Sequence, residues 1–149
     1  MTFKQKVHSR YLQLVQDKID VFRDMIANLA DDAQNDAKSS AGDKHETALS
    51  MMHLEQENLT KKLRENLEVK ALLGKIDPAI STDKIALGSL VKANGINLFV
   101  SGALPKIVVD GITIIALSPQ SPLGSQLLGR QTGFSFTIHQ TGYTIDSID

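Results

Sequence analysis

The chain has 149 residues, a formal net charge of −1 and no cysteine. This length suits one ordinary domain or two small ones, the near-zero charge gives no field that would draw the chain to nucleic acid or an anionic membrane, and the lack of thiols excludes disulfides and thiolate sites. The sequence begins without the apolar run of a signal peptide and never approaches the roughly 20 apolar residues of a membrane span, so we expect a cytoplasmic protein.

The distribution of charge divides the chain into two parts. Residues 1–75 carry 12 Lys or Arg and 12 Asp or Glu, whereas residues 76–149 carry only 4 and 5. Gly74 can end a helix in the left-handed conformation, and Pro78 discourages its continuation. We therefore predict one architecture for residues 1–75 and another for residues 76–149.

Two stretches of the first part, residues 4–35 and 43–73, are predicted to be helices because apolar residues recur in them at spacings of three and four. The seam of the first stretch consists of Tyr11, Val15, Ile19, Phe22, Ile26, Leu29 and Ala33. Neither helix can bury such a stripe alone, so the pair is expected to pack as an antiparallel coiled-coil hairpin of roughly 45 Å.

The segment AGDKHETA, residues 41–48, connects these helices, and it places Asp43 and Glu46 at the predicted free end of the hairpin. An Asp at the N-cap with a Glu three residues later is close to a capping box. Carboxylates at that spacing also share one helix face and can hold a divalent cation jointly. Because Mg²⁺ prefers about six oxygen ligands, such a pair needs a partner to complete the shell. Capping and metal binding remain compatible alternatives.

The second part is predicted to be a small α+β module, an antiparallel sheet with one short helix. Residues 118–128 are expected to form the helix, since serine and proline suit its first turn and Gly129 follows it. The predicted strands are residues 85–92, 97–101, 112–117, 134–138 and 143–148, with a further short strand at 106–109.

Several motifs resemble those of the GreA/GreB transcript-cleavage factors. SPLGSQLLGRQTGFSFTI, residues 121–138, is similar to that family's C-terminal signature SPLGRALLGKxxGDxVxV. IALGSLVKA, residues 85–93, and INLFVSG, residues 96–102, resemble its first two strands. GDKHETA, residues 42–48, resembles its GDLxENAEY tip and keeps the D-x-x-E spacing. The order and spacing of these motifs agree over nearly the whole chain.

The resemblance implies an accessory factor of bacterial RNA polymerase rather than an enzyme. An FKBP-like C-terminal domain would dock on the rim of the polymerase secondary channel through Ser121, Pro122, Leu123 and Gly124. The hairpin would reach into the channel, where Asp43 and Glu46 would help to place a second Mg²⁺ for cleavage of backtracked RNA by the polymerase. The ion would be shared with the polymerase, the contact with the RNA 3′ end indirect, and the protein a monomer without membrane association.

Departures from the family pattern leave a second function open. Residues 47–50 read Thr-Ala-Leu-Ser in place of Asn-Ala-Glu-Tyr, Ser125 replaces a basic residue, and Gly133-Phe134 replaces Gly-Asp. The alternative is a regulator that occupies the channel or inhibits the polymerase without cleavage. A prolyl isomerase is a further alternative that the FKBP-like fold raises, although the sheet part of the chain has few aromatic residues to line a pocket.

Overall fold

A computed structural model of the chain describes residues 1–39 and 43–149, apart from the side chains of residues 33, 35–39 and 43–45. Two long helices precede a six-stranded sheet, and one short helix lies between its fourth and fifth strands in the sequence. This order confirms the predicted α+β layout of a helical hairpin followed by a sheet. The elements in chain order are α1 (Phe3–Ser39), α2 (Asp43–Gly74), β1 (Leu90–Ala93), β2 (Ile96–Val100), β3 (Ile107–Val109), β4 (Ile112–Leu117), α3 (Pro122–Leu127), β5 (Ser135–Ile138) and β6 (Thr141–Ile148).

The described residues separate into two compact units. One unit contains Met1–Gln13 and Ala71–Asp149, and the other contains Leu14–Lys70. The first turns of α1 and the last turn of α2 therefore belong to the unit that holds the sheet, whereas the sequence boundary at residues 75 and 76 follows the change in composition. Within Leu14–Lys70, the α1 seam residues Val15 and Ile19 are buried, as is Leu59 of α2.

The sheet has the strand order β3-β4-β2-β1-β6-β5 and is mixed rather than purely antiparallel. β2 and β4 pair in parallel, with Phe99 opposite Ala116, and all other pairs are antiparallel. The chain leaves β2, forms β3 at the sheet edge, and returns through a hairpin, so that β4 runs beside β2 in the same direction. Alternation in the sequence predicts strands and their faces, but it carries no information about which strands become neighbours.

The two faces of the sheet bury different side chains. Leu98 and Val100 belong to a core cluster that includes Leu127 of α3, with Leu123 packed against it. Phe99 lies between them in β2, and therefore points to the opposite face. The buried members of the cluster are Ile85, Val91, Ala93, Leu98, Val100, Leu117, Leu127, Phe136 and Ile145.

The first strand is shorter than predicted, since β1 begins at Leu90 rather than at residue 85. Gly88 has a φ of 92°, and a Cβ on it would lie 2.7 Å from Cγ2 of Ile76. The amide of Ser89 donates a 3.0 Å hydrogen bond to the carbonyl oxygen of Ala86. Residues 86–89 therefore form a turn instead of extending the strand. Gly74 is the last residue of α2, as the sequence suggests, but without the left-handed φ expected of it.

Candidate functional site

The beginning of α2 carries the two carboxylates that the sequence singles out. Asp43 is the first residue of the helix, and Glu46 follows three residues later with an exposed side chain. Gly42 and the side chain of Asp43 lie outside the described residues. The predicted pairing of the two carboxylates on one helix face therefore stays a prediction.

The turn before α3 is organised by the hydroxyl of Ser121. Ser121 is the N-cap, with extended backbone angles, and its Oγ accepts a hydrogen bond of 3.0 Å from the amide of Gly124. The same hydroxyl donates to the carbonyl oxygen of Ser118 at 2.6 Å. Pro122 occupies the first helical position, where its missing N–H would have had no intrahelical partner. Ser121 and Pro122 thus position a short helix that their local chemistry favours.

Gly124 permits a close approach between α3 and the preceding loop. A Cβ at this position would overlap the carbonyl oxygen of Ser118 and would lie 2.9 Å from Cα of Pro119. Since both atoms belong to the backbone, they cannot move aside as the end of a flexible side chain could. The glycine of the SPLG motif therefore has a steric role in the fold.

The four residues predicted to dock on a polymerase differ in their accessibility. Leu123 is half-buried and packs against the core cluster, while Gly124 is buried. Pro122 is exposed, as is the neighbouring Leu128, whose side chain has 40% of its surface accessible. The exposed residues of this segment include Pro122, Ser125, Gln126 and Leu128, and Leu123 is partly accessible beside them. The docking role of the four residues stays a prediction.

The first turns of α1 bring two polar side chains into the interior of the sheet unit, which the sequence analysis did not anticipate. Lys4 is only 3% exposed, and its Nζ donates a 2.7 Å hydrogen bond to the carbonyl oxygen of Ile80. Burial lowers the pKa of Lys4, an effect that the carboxylates of Asp149 and Asp77 oppose. His8 is also buried, and its Nε2 lies 2.7 Å from the carbonyl oxygen of Leu73, which requires a proton on Nε2.

Spacing was the signal that could have identified these residues. Lys4, Val7, His8 and Tyr11 are separated by three, one and three residues, so they share one stripe of α1. The seam predicted from the sequence begins at Tyr11, because a lysine and a histidine count as polar in an apolar pattern. Their hydrogen bonds to backbone carbonyl groups satisfy the polar atoms and make burial possible.

Tyr11 is fully buried and is held at both ends of its side chain. Its ring stacks on Phe99, and its hydroxyl donates a 2.8 Å hydrogen bond to the carbonyl oxygen of Pro105. Burial raises the pKa of Tyr11 from 10.0 to about 12. These contacts fit a structural role and place no group where it could act on a substrate.

The aromatic residues of the sheet unit are engaged with one another. Phe136 stacks between Phe134 and Tyr143, with ring centroids 6.3 and 5.3 Å apart, and the guanidinium of Arg130 lies 4.3 Å from the centre of the Phe134 ring. Phe99 is fully buried. Phe134 also lines an open cleft of about 450 Å³, and the prolyl-isomerase alternative stays a prediction.

Two other features, a metal-ion site and a membrane-spanning helix, are not found among the described residues. Among the side chains described, no three His, Asp or Glu residues come together as a group that could hold a metal ion. The side chains of Asp43 and His45 lie outside the described residues. No described helix combines the length and apolar character required to cross a bilayer.

No protein-family model matches the chain, and no curated protein matches it.

Proposed function

We propose that the protein binds RNA polymerase in its secondary channel and stimulates the polymerase's intrinsic cleavage of backtracked RNA. On this proposal the protein is a cytoplasmic, monomeric accessory factor, and the polymerase performs the reaction. The support is the resemblance of four motifs to the GreA/GreB family, together with a helical hairpin that precedes a sheet unit with one short helix.

The observation that carries the proposal is the position of the D-x-x-E pair in the hairpin. Asp43 begins α2, and exposed Glu46 follows it by one turn. A helix start at this point leaves the Glu46 carboxylate accessible to a partner. The two residues would supply oxygens to a Mg²⁺ that the polymerase holds with its own ligands, because two carboxylates alone bind this ion weakly.

The segment from residue 118 to residue 128 is proposed to contact the polymerase. Its exposed side chains combine apolar Pro122 and Leu128 with uncharged Ser125 and Gln126. Surfaces depleted of charge are characteristic of the buried centre of protein interfaces. The capped helix α3 presents these side chains on a rigid support, since Ser121 and Gly124 fix its first turn.

Occupation of the channel without cleavage is the second candidate, and one observation favours it. Leu49 is half-buried in α2 at the position where the family motif has a glutamate, and exposed Ser50 replaces its tyrosine. The turn that follows the carboxylate pair therefore lacks the charged and aromatic side chains of the family pattern.

Experiments with purified bacterial RNA polymerase can distinguish the two candidate functions. Binding is measured by co-purification, and cleavage by release of short RNA from a backtracked complex with Mg²⁺ present. Binding with faster cleavage supports the first proposal, whereas binding with inhibition and no cleavage supports the second. Absence of binding contradicts both.

A further inference from the structure

The outer edge of the sheet at β3 (Ile107–Val109) is open. β3 pairs only with β4 among the described strands, and the two are joined by Asp110 and Gly111, which have φ values of 51° and 77°. These values indicate a two-residue type I′ hairpin, in which the closing pair, Val109 and Ile112, is hydrogen-bonded. The backbone groups of Val108, one residue earlier, consequently point away from β4. Outside the strand ladders, no backbone hydrogen bond is recorded for Val108 within the described chain.

An open groove of about 430 Å³ runs between this edge and the first turns of α1. Its walls include Val108 and Val109 on the strand and Lys6, Ser9 and Arg10 on the helix. Clefts that bind ligands have volumes of roughly 300–1,000 Å³, so the groove can accept a short extended segment.

The helix side of the groove is basic. Lys6 and Arg10 are four residues apart and so lie on one face of α1. Lys6 Nζ is 2.9 Å from Oδ2 of Asp110, with both side chains about half exposed. The side chain of Arg10 is exposed and forms no hydrogen bond or ion pair with a described residue. Two cations thus face a single carboxylate, and the groove is complementary to negative charge.

The opposite face of the same strand is uncharged and partly apolar. Val108 is 60% exposed, its partner Thr113 is exposed, and Ile115 of β4 on the same face is 39% exposed. A strand added to β3 would direct alternate side chains to the two faces of the sheet. Side chains on the Val108 face would meet apolar groups, and those on the other face would meet Lys6 and Arg10.

We propose that β3 binds an extended acidic segment of a partner protein, which adds to the sheet as a further strand and alternates apolar with carboxylate side chains. Backbone bonds to Val108 would supply affinity, and the two faces would supply specificity. This interaction is independent of the proposed polymerase function, because it uses neither the hairpin connection nor residues 118–128.

The test uses the full chain and a fluorescein-labelled peptide that alternates valine with glutamate. Anisotropy measures its binding, and amide chemical shifts locate it. We expect saturable binding that weakens with added salt, with the largest shifts at residues 106–109. A peptide that alternates valine with lysine is expected not to bind.

Matched variants separate the backbone contribution from the charge contribution. Val108→Pro removes the outward N–H and is tolerated at a sheet edge, so binding should weaken about fivefold or more, while Val108→Thr should bind like the parent. Arg10→Gln should weaken binding by up to about fivefold. Asp110→Asn keeps a favourable turn residue and frees Lys6, so it should tighten binding.

Four results would overturn the proposal. They are no saturable binding by the parent protein, equal binding of the lysine peptide, shifts confined to surfaces other than β3, and unchanged affinity in a folded Val108→Pro variant. Concentration-dependent dimerisation with shifts at β3 would assign the edge to a second copy of this chain instead of an acidic partner.

Discussion

The ring of Tyr11 lies nearly parallel to the ring of Phe99, with centroids 5.8 Å apart and planes inclined by 6°. Both side chains are fully buried. The stack joins the first turns of α1 to the second strand of the sheet, and the Tyr11 hydroxyl adds a bond to Pro105. Aromatic pairs of this kind contribute about 0.5–1.5 kcal/mol beyond the area they bury.

Tyr11→Phe should retain the stack and lose only the hydrogen bond to Pro105. We expect the free energy of unfolding to fall by about 0.5–1.5 kcal/mol, measured by chemical denaturation. Tyr11→Ala removes the ring as well and should cost about 3–5 kcal/mol. Equal effects of the two substitutions would contradict the division of roles between ring and hydroxyl.

The raised pKa of Tyr11 predicts a loss of stability at alkaline pH. Below pH 10 the hydroxyl is protonated in both folded and unfolded chains, so its contribution is fully present. Between pH 10.0 and about 12 the unfolded chain ionises first, and the free energy of unfolding should therefore fall as pH rises.

The pKa of Tyr11 can be measured in a Tyr143→Phe variant, because the chain has only two tyrosines. In that variant the ultraviolet absorbance of tyrosinate reports Tyr11 alone. Ionisation of the folded protein at the ordinary tyrosine pKa would show that the hydroxyl is not buried as described. Tyr11→Phe should lose this component of the pH dependence.

Gly124→Ala should destabilise the sheet unit, because the added methyl overlaps the Ser118 carbonyl oxygen. Overpacking of this kind lowers the free energy of unfolding by roughly 1–3 kcal/mol. We expect a loss at the upper end of this range, because the atoms that the methyl would meet belong to the backbone. Gly74→Ala is the matched control, since its Cβ meets no atom within 4 Å and its φ is not left-handed. A Gly124→Ala variant as stable as Gly74→Ala would mean that the loop before α3 can move away.

Ser125→Arg tests the proposed polymerase contact. It introduces the basic residue that the GreA/GreB motif has at the corresponding position, and Ser125 is exposed on α3 with one hydrogen bond to the Pro122 carbonyl oxygen. We expect unchanged stability and tighter co-purification with RNA polymerase. Leu128→Asp, also at an exposed position, should weaken it. Leu123→Asp is unsuitable for this purpose, because loss of core packing would confound the result.

Asp43→Asn and Glu46→Gln separate capping from metal binding. Asparagine caps a helix about as well as aspartate, and glutamine preserves the geometry of a capping box, but neither supplies an anionic oxygen to Mg²⁺. If the proposed function holds, both variants remain folded and bind polymerase but lose stimulation of RNA cleavage. Parental cleavage by both variants would leave the residues with a capping role alone.

The helices and most strands could be predicted from the sequence because each has its own periodic pattern. The predicted strand at residues 112–117 coincides with β4, and the helical stretches differ from α1 and α2 by a few residues at their ends. These features depend on local spacing, which a single sequence contains.

Features that depend on distant partners could not be predicted in the same way. The parallel pairing of β2 with β4 follows from the path of the chain through β3, and the burial of Lys4 and His8 follows from carbonyl groups at Ile80 and Leu73. Leu123 packs against the core cluster, most of whose members lie far from it in the sequence, and the polymerase contact predicted for it stays a prediction. The metal-binding role predicted for Asp43 and Glu46 stays a prediction.

The sheet unit contains two segments, Met1–Gln13 and Ala71–Asp149, that are far apart in the sequence. Contacts between these segments can form only after the later one has been synthesised. Tyr11 finds its acceptor 94 residues later, and Lys6 finds Asp110 104 residues later. Leu14–Lys70 is continuous and can pair as soon as it has emerged from the ribosome, whereas the contacts of Tyr11 with Phe99 and Pro105 can form only after those residues have been synthesised. The ring and the hydroxyl of Tyr11 lack these partners until then.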